Sequence, residues 1–313
     1  MTRVASLLRS VCVLLLLGPL AGVNAVTGAP DPGAAKCRDL EDRYQMLQTG
    51  ISPAQLNLLL FASAEAGCAP LARRLLGAGA SLAARDRLGA MPLARAARAG
   101  QAALVELFLA QGAAVDARNL AGATALYAAV ENEREASVAA LLAKGADPNL
   151  PGRSGVTPLA AAAFKGNGPI VDALIARAAD PDAVDATGKT AIVYAASRGS
   201  ARIVRRLLDA GVDAARRYGN DLTALMWAAG HADGVPPQAA VEVAGVLLDA
   251  GAPIDAVDDR GRTALMIAAE RGRGEVVELL LARGADRTIT DKGGRRAFDL
   301  AADDGMRAKL AVR

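Results

Sequence analysis

Small and apolar residues recur along the chain at a fixed spacing. Glycines stand 33 residues apart at Gly89, Gly122, Gly155 and Gly188, and a second glycine column keeps the same step from Gly79 onward. An alanine-rich segment follows each glycine of the first column, and a leucine-rich segment precedes each glycine of the second. One such unit cannot bury its apolar face alone, whereas a stack of units can. The pattern therefore predicts stacked units, each with two short helices.

The period breaks once. Asp221 continues the first column, Gly261 follows after 40 residues and Gly294 after 33 more, so seven residues are inserted within about 232–239. Such an irregular loop can carry function, or a surface turn can simply tolerate the extra residues. Pro237 is expected to start a lengthened outer helix. The predicted units lie near residues 56–88, 89–121, 122–154, 155–187, 188–220, 221–260 and 261–293, with a truncated polar cap at 294–313.

Each unit also repeats a short motif. Residues 155–159 read Gly-Val-Thr-Pro-Leu, residues 261–265 read Gly-Arg-Thr-Ala-Leu, and an Ala-Ala pair follows in both units. Together with the later Leu-Leu and Gly-Ala, this motif resembles the ankyrin repeat over about residues 56–313. The resemblance implies an all-α repeat fold, an ankyrin solenoid of helix–turn–helix units joined by short β-hairpins or turns. It also implies a protein-binding role for the concave surface that the hairpin tips and the inner helices form.

Individual positions modify this expectation. The histidine that usually follows Thr-Pro-Leu in ankyrin repeats is absent from every unit, which indicates that apolar packing holds the units together. Thr124 and Thr263 are expected to cap the helices that follow them. Ala178 stands in a column of glycines that end helices, and a left-handed conformation there would cost up to ~1 kcal/mol.

The N-terminus has the features of an export signal. Arg3 and Arg9 precede an apolar stretch over residues 11–23, and Val23-Asn24-Ala25 is a small-residue cleavage site. Residues 1–25 are therefore predicted to be a signal peptide, so the protein is predicted to be secreted, or periplasmic if the host is Gram-negative. The alternative is an uncleaved membrane anchor, although the stretch is short for a bilayer span. Residues 26–35 are predicted to be a flexible linker, and residues 36–55 a helical N-terminal cap.

Two cysteines remain after the predicted cleavage, Cys37 and Cys68. An even number of cysteines in an exported chain favours a disulfide, which would tie the N-terminal segment to the first repeat. The alternative is a pair of free thiols, one of which packs inside a repeat.

Composition argues against several classes of function. Apolar residues make up 52% of the chain but aromatic residues only 3%, which suits thin, closely packed helices. Beyond residue 25 the chain has 34 basic and 33 acidic groups, since Arg3 and Arg9 leave with the signal, and this balance gives no reason to expect nucleic acid as a partner. We predict a monomer that has no membrane contact once the signal is removed.

The chain offers little for catalysis. His231 is the single histidine, which excludes a histidine-based zinc cluster, and the sequence contains no phosphate-binding loop. Asp86, Asp185, Asp258 and Asp291 share one column at the repeat hairpins, where turn and cap chemistry is expected. We therefore predict a protein that is not an enzyme and that needs no metal or cofactor.

Two columns of inner-helix and hairpin residues lean basic. They predict a basic inner groove for an acidic protein surface or segment, with the acidic residues gathered on the outer helices. The alternative is a solvated repeat face with ordinary arginine content. Tyr194 and Trp227 are interpreted as core packing. The candidate partner-binding residues are Arg87, Leu120, Arg153, Lys165, Lys189, Arg198, Arg217, Tyr218, His231, Arg260, Arg262 and Arg271.

The leading hypothesis is an exported, bacterial-type ankyrin-repeat protein that binds a protein partner without catalysis. One alternative is an immunity or inhibitor protein that binds a single periplasmic toxin or enzyme very tightly. Another is an accessory factor for a periplasmic enzyme, such as an oxidative-stress enzyme. A true enzyme is the fourth class.

Overall fold

The computed structural model describes residues 32–47 and 50–311. The predicted signal peptide, residues 1–25, lies outside the described residues, as does most of the predicted linker. The helices are α1 (Pro32–Leu47), α2 (Pro53–Ala66), α3 (Ala69–Gly77), α4 (Pro92–Ala99), α5 (Ala102–Ala110), α6 (Ala125–Glu131), α7 (Glu135–Ala143), α8 (Pro158–Lys165), α9 (Gly168–Ile175), α10 (Ala191–Ser197), α11 (Ala201–Asp209), α12 (Ala224–Ala229), α13 (Pro237–Asp249), α14 (Ala264–Glu270), α15 (Gly274–Ala282), α16 (Ala297–Leu300) and α17 (Asp304–Leu310).

The helices form two layers. From α2 onward, the even-numbered helices each contact the next even-numbered helix, and we call them inner helices. The odd-numbered helices from α3 to α17 contact one another in the same way and form the outer layer. Hairpins join the units, and one of them contains a short antiparallel pair, β1 (Arg217–Tyr218) with β2 (Leu222–Thr223). The predicted all-α repeat solenoid is confirmed.

Threonine side chains cap the inner helices at the positions that the motif predicts. The hydroxyl oxygens of Thr124 and Thr263 accept the backbone N–H groups of Tyr127 and Met266, at 3.2 and 3.3 Å. These bonds satisfy donors that a helix N-terminus leaves without intrahelical partners. Alanines on the inner helices and leucines on the outer helices then form one continuous buried core.

The N-terminal helix begins earlier than predicted. Residues 32–35, assigned to the linker from sequence, form the first turn of α1. A proline suits the first turn of a helix, and the alanines that follow it favour helix strongly, so the Pro-Gly-Ala composition did not mark a linker here. Leu40 and Tyr44 of α1 are buried against the first unit, and the sulfur atoms of Cys37 and Cys68 lie at bonding distance, with Cα atoms 5.4 Å apart.

The inserted residues form an anchored loop. The N–H group of Ala232 donates to the carbonyl of Ser197 in the preceding unit, at 3.1 Å. On the other side, Arg273 of the following unit donates to the carbonyl of His231 and pairs with Asp233, at 3.1 and 2.8 Å. The loop therefore bridges its two neighbours. The helix after it, α13, starts at Pro237 and has 13 residues, which confirms the predicted lengthening.

Ala178 adopts the left-handed conformation that its column requires, with φ 59°. We expect Ala178→Gly to raise the free energy of unfolding by about 0.5–1 kcal/mol, because glycine carries no Cβ penalty at positive φ. Chemical denaturation measures this change. Ala176→Gly is the matched control, since Ala176 has φ −62° and glycine there brings no relief. A loss of stability in Ala178→Gly would contradict the argument.

Candidate functional site

The hairpin aspartates accept hydrogen bonds from backbone N–H groups of their own turns. Oδ1 of Asp86 accepts the N–H groups of Leu88 and Ala90 at 2.8 and 2.9 Å, and Asp185, Asp258 and Asp291 accept equivalent pairs. Burial alone would raise the pKa of Asp185, but hydrogen bonds from Tyr194, Thr187 and Lys189 outweigh it and lower the pKa. These carboxylates therefore serve as hydrogen-bond acceptors of the turns, as the sequence predicted.

Aromatic and cationic side chains meet on the inner helices of the central units. The rings of Phe164 and Tyr194 meet edge to face with centroids 5.8 Å apart, and the guanidinium of Arg198 lies 5.1 Å from the Phe164 ring. Nζ of Lys189 lies 5.0 Å from the Trp227 ring and 6.0 Å from the Tyr194 ring. We call Phe164, Lys189, Tyr194, Arg198 and Trp227 the central cluster.

The repeat register brings these side chains together. Tyr194 and Trp227 occupy the same position on α10 and α12, 33 residues apart, and Lys189 reaches them from the hairpin before α10. The Tyr194 hydroxyl donates to Asp185 of the same hairpin, which fixes the ring. Burial and this hydrogen bond raise the pKa of Tyr194, so the phenol stays neutral. The cluster therefore combines packed aromatic rings with cations beside them.

Two of the aromatic residues were interpreted from sequence as core packing, and this is correct only in part. Tyr194 and Trp227 pack against the core but are half-buried, and each leaves part of its ring beside Lys189. Phe164, which is 46% exposed, was not predicted as a site residue. Its column otherwise holds polar or small residues, such as Glu131 and Ser197, and an aromatic residue at a surface position is the signal that could have identified it.

The structure exposes nine of the predicted partner-binding positions at least in part. Lys165, Arg198 and Arg271 lie at the ends of inner helices, and Lys189 lies half-buried in the central cluster. The remaining five lie on five different hairpins of the stack: Arg87, Leu120, Arg153, Arg217 and Arg260. Arg217 donates to the carbonyl of Val257 at 2.6 Å, and Arg260 pairs with Asp258 at 2.8 Å.

The prediction of a partner-binding role is wrong for three residues, because their side chains are buried. Tyr218 is buried at the hairpin position where four other units carry aspartate. Arg262 is buried and pairs with Glu270 at 2.6 Å. His231 is 3% exposed beneath the inserted loop, where burial lowers its pKa. A column position alone did not show which side chains the next unit covers.

The expected concentration of acidic residues on the outer helices is also wrong. Helix α11 of the outer layer carries Arg202, Arg205 and Arg206. Arg206 pairs with Asp172 of α9 at 2.6 Å, and Arg205 pairs with Glu242 of α13 at 3.0 Å. The outer layer therefore carries both charges, and part of them pair between neighbouring units.

Metal binding and membrane crossing have specific structural requirements. Within residues 32–47 and 50–311, no group of three His, Cys, Asp or Glu side chains is placed to hold a metal ion. None of the helices in the same part of the chain has the length and apolar character that a bilayer span needs.

Known proteins match this chain over most of its length. A family model described as ankyrin repeats in three copies matches residues 59–151 and 154–236. A model of many copies of the repeat matches residues 247–301, and a single-repeat model matches residues 220–259. The crystal structure of the human ASB11 ankyrin repeat domain superposes with a TM-score of 0.64 and is 27% identical, covering 71% of this chain and 96% of that one.

Proposed function

Because the chain belongs to the ankyrin-repeat family, we propose that it is a protein-binding module that uses its inner surface without catalysing a reaction. The observation that carries this proposal is the central cluster. It places half-exposed aromatic rings and cations on adjacent inner helices, which is the side-chain chemistry that dominates binding at protein interfaces. The partner is proposed to be a protein, and the module a monomer.

The cations of this surface are available to a partner. Lys189 and Arg198 lie against aromatic rings and, in the described part of the chain, neither makes a salt bridge. The same holds for the exposed Lys165 at the end of α8. A carboxylate arriving from a partner therefore meets cations that need not release an existing ion pair, while apolar side chains can pack on the Phe164 ring. We infer that the partner presents an acidic segment with apolar residues.

We also propose that the protein acts outside the cytoplasm. The proposed export signal at residues 1–25 supports this location, and so does the close approach of Cys37 and Cys68, because disulfides persist in oxidising compartments. An inhibitor of one toxin or enzyme and an accessory factor would use the same surface. A single captured protein held at very low Kd would favour the inhibitor.

The test is capture of extracytoplasmic proteins by the purified chain and by a Lys165→Glu/Arg198→Glu variant. We expect the variant to bind the identified partner about 10–100-fold more weakly, since each tenfold change corresponds to about 1.4 kcal/mol. Both side chains are exposed at helix ends, so the fold should be retained. With purified partner, fluorescence of Trp227 reports binding directly, because it is the single tryptophan in the chain and lies in the cluster.

The matched control is Arg73→Glu/Lys144→Glu. Both residues are exposed on or directly after outer helices, and the double change alters net charge by the same amount. Capture that survives in the Lys165→Glu/Arg198→Glu variant, or that falls equally in the control, would rule out the inner surface as the binding site.

A further inference from the structure

A groove lies between the first inner helix and the hairpin of the second unit, remote from the central cluster. Its volume is about 760 Å³. Ala54, Leu58, Phe61 and Ala62 of α2 form an apolar wall, and the hairpin residues from Arg85 to Arg87 face it. We propose that this N-terminal groove is a second docking site, which takes a protein segment that presents a large apolar side chain next to a carboxylate.

The groove exists because the first unit has a different helix from the others. Helix α4 begins at Pro92, and one 33-residue period earlier is Leu59, yet α2 already begins at Pro53. The extra turns of α2 carry Ala54 and Leu58, and they occupy the register where other units have the end of a hairpin. An apolar helix face is therefore left beside the next hairpin, with no preceding repeat to cover it.

Leu58 is a large apolar side chain in this wall that is exposed to solvent. Leu56, Leu59 and Leu60 of α2 are buried in the stack, whereas Leu58 is 68% exposed. Helix α1 buries Leu40 and Tyr44 and leaves Leu58 uncovered. A helix that is apolar on its outward face as well as its inward face indicates a surface that a partner covers.

Charge sets the chemistry of that partner. The nearby carboxylates of Asp86 and Glu65 are both bound by Arg95, with Nε of Arg95 2.7 Å from Asp86. Arg85 uses its guanidinium on the carbonyls of Gly89 and Arg118, at 2.7 and 2.8 Å, and these neutral acceptors leave its charge uncompensated. Arg87 is exposed and makes no salt bridge within the described residues. The groove lining therefore carries three guanidinium groups and two carboxylates, a net charge of +1. Beside the apolar wall, this excess positive charge fits an apolar anchor flanked by a carboxylate.

The two docking sites are distinct in position. The N-terminal groove lies on α2 and the hairpin before α4, whereas the central cluster lies on α8, α10 and α12. A partner long enough to reach both would gain affinity from the second contact through its raised local concentration. A short segment would occupy only one of the two sites.

The test uses a displayed library of random dodecapeptides, selected on the purified chain in its oxidised form. We expect a class of peptides in which Asp or Glu adjoins Leu, Met or Phe. Synthetic, fluorescently labelled members should bind at least tenfold more weakly to Leu58→Asp and to Arg87→Glu, as measured by fluorescence polarisation. Binding should be unchanged in Lys165→Glu/Arg198→Glu, which separates this site from the proposed function at the central cluster.

Phe298→Asp is the matched control for Leu58→Asp. It also replaces a partly exposed apolar residue by an acid, but in α16 at the opposite end of the stack. Circular dichroism melts check that each variant folds, and Arg87→Glu keeps the test decisive if Leu58→Asp does not. The proposal is overturned if no peptides are selected, if the selected peptides lack acidic residues, or if their binding ignores both substitutions. Self-association in sedimentation velocity that Leu58→Asp abolishes would instead assign the groove to a second copy of the chain.

Discussion

Replacing Phe108 by alanine is expected to lower the free energy of unfolding by about 3–5 kcal/mol. Phe108 is fully buried, with 0% of its side chain exposed, and it is the largest of the side chains that are completely enclosed in the described part of the stack. The surrounding core consists mainly of leucine, valine and alanine, and truncating a ring among such short side chains leaves a cavity that rigid helices cannot fill. Because α5 contacts α3, α4 and α7, the cavity weakens three interfaces together.

Phe164→Ala provides the matched comparison for this substitution. The same atoms are removed from a ring that is nearly half exposed on the inner surface, so we expect less than about 1 kcal/mol of destabilisation. Urea denaturation measures both changes. Hydrogen exchange should show the loss of protection in Phe108→Ala concentrated on α3, α4, α5 and α7, because contacts in a repeat stack are made between neighbours. Equal destabilisation by the two substitutions would show that burial does not control their effects.

The order of the helices could be predicted from sequence because every repeat uses the same residue types to start, pack and end its helices. A threonine cap, a short alanine-rich helix, a leucine-rich helix and a left-handed glycine recur at one spacing, so an error in one unit is corrected by the others. The lengthened α13 was predictable for the same reason. A single break in a strict period identifies both the place of the insertion and the proline that restarts the helix.

The binding surface was harder to predict, because exposure depends on side chains contributed by adjacent units. Tyr127 lies buried because the hairpin residue beside it is Gly152, and a Cβ atom at that position would collide with the ring. The neighbouring columns gave no sign of this pairing. Similarly, Arg262 was expected on the surface, but it is buried and paired with Glu270, eight residues further along the same unit. The position of a residue in the repeat predicts which way its side chain points. Whether solvent reaches that side chain depends on the residues that the adjacent unit places beside it.

The N-terminal groove illustrates a second limit of the repeat pattern. The period describes units that have neighbours on both sides, whereas α2 follows a helix of a different kind. Its additional N-terminal turns have no counterpart in the other units, so the period assigns no role to Leu58. Features at the ends of a repeat array therefore have to be derived from the residues themselves, since the terminal units of such arrays deviate from the consensus.

Reducing the proposed disulfide between Cys37 and Cys68 is expected to destabilise the N-terminal units by about 3–4 kcal/mol, because the unfolded chain regains the entropy that a closed loop of this length removes. The two residues are 31 positions apart and would join α1 to the segment between α2 and α3. Denaturation with and without a thiol reductant measures the change. Hydrogen exchange should locate it on α1 and α2. The Cys37→Ser/Cys68→Ser variant is the control, because a reductant should have no further effect on it.

Alkylation of the same protein tests whether Cys37 and Cys68 are bonded. If the pair is oxidised, alkylation without reduction should modify neither thiol, and the stability lost on reduction should be lost mainly at the N-terminal end. Modification of both thiols would contradict the disulfide, and α1 would then depend on the packing of Leu40 and Tyr44 and on the Arg74 guanidinium 5.7 Å from the Tyr44 ring. Helix α2 packs against α1 and also forms one wall of the N-terminal groove, so loosening α1 would weaken peptide binding in that groove. The fluorescence response of Trp227 in α12 to a partner at the central cluster would stay unchanged.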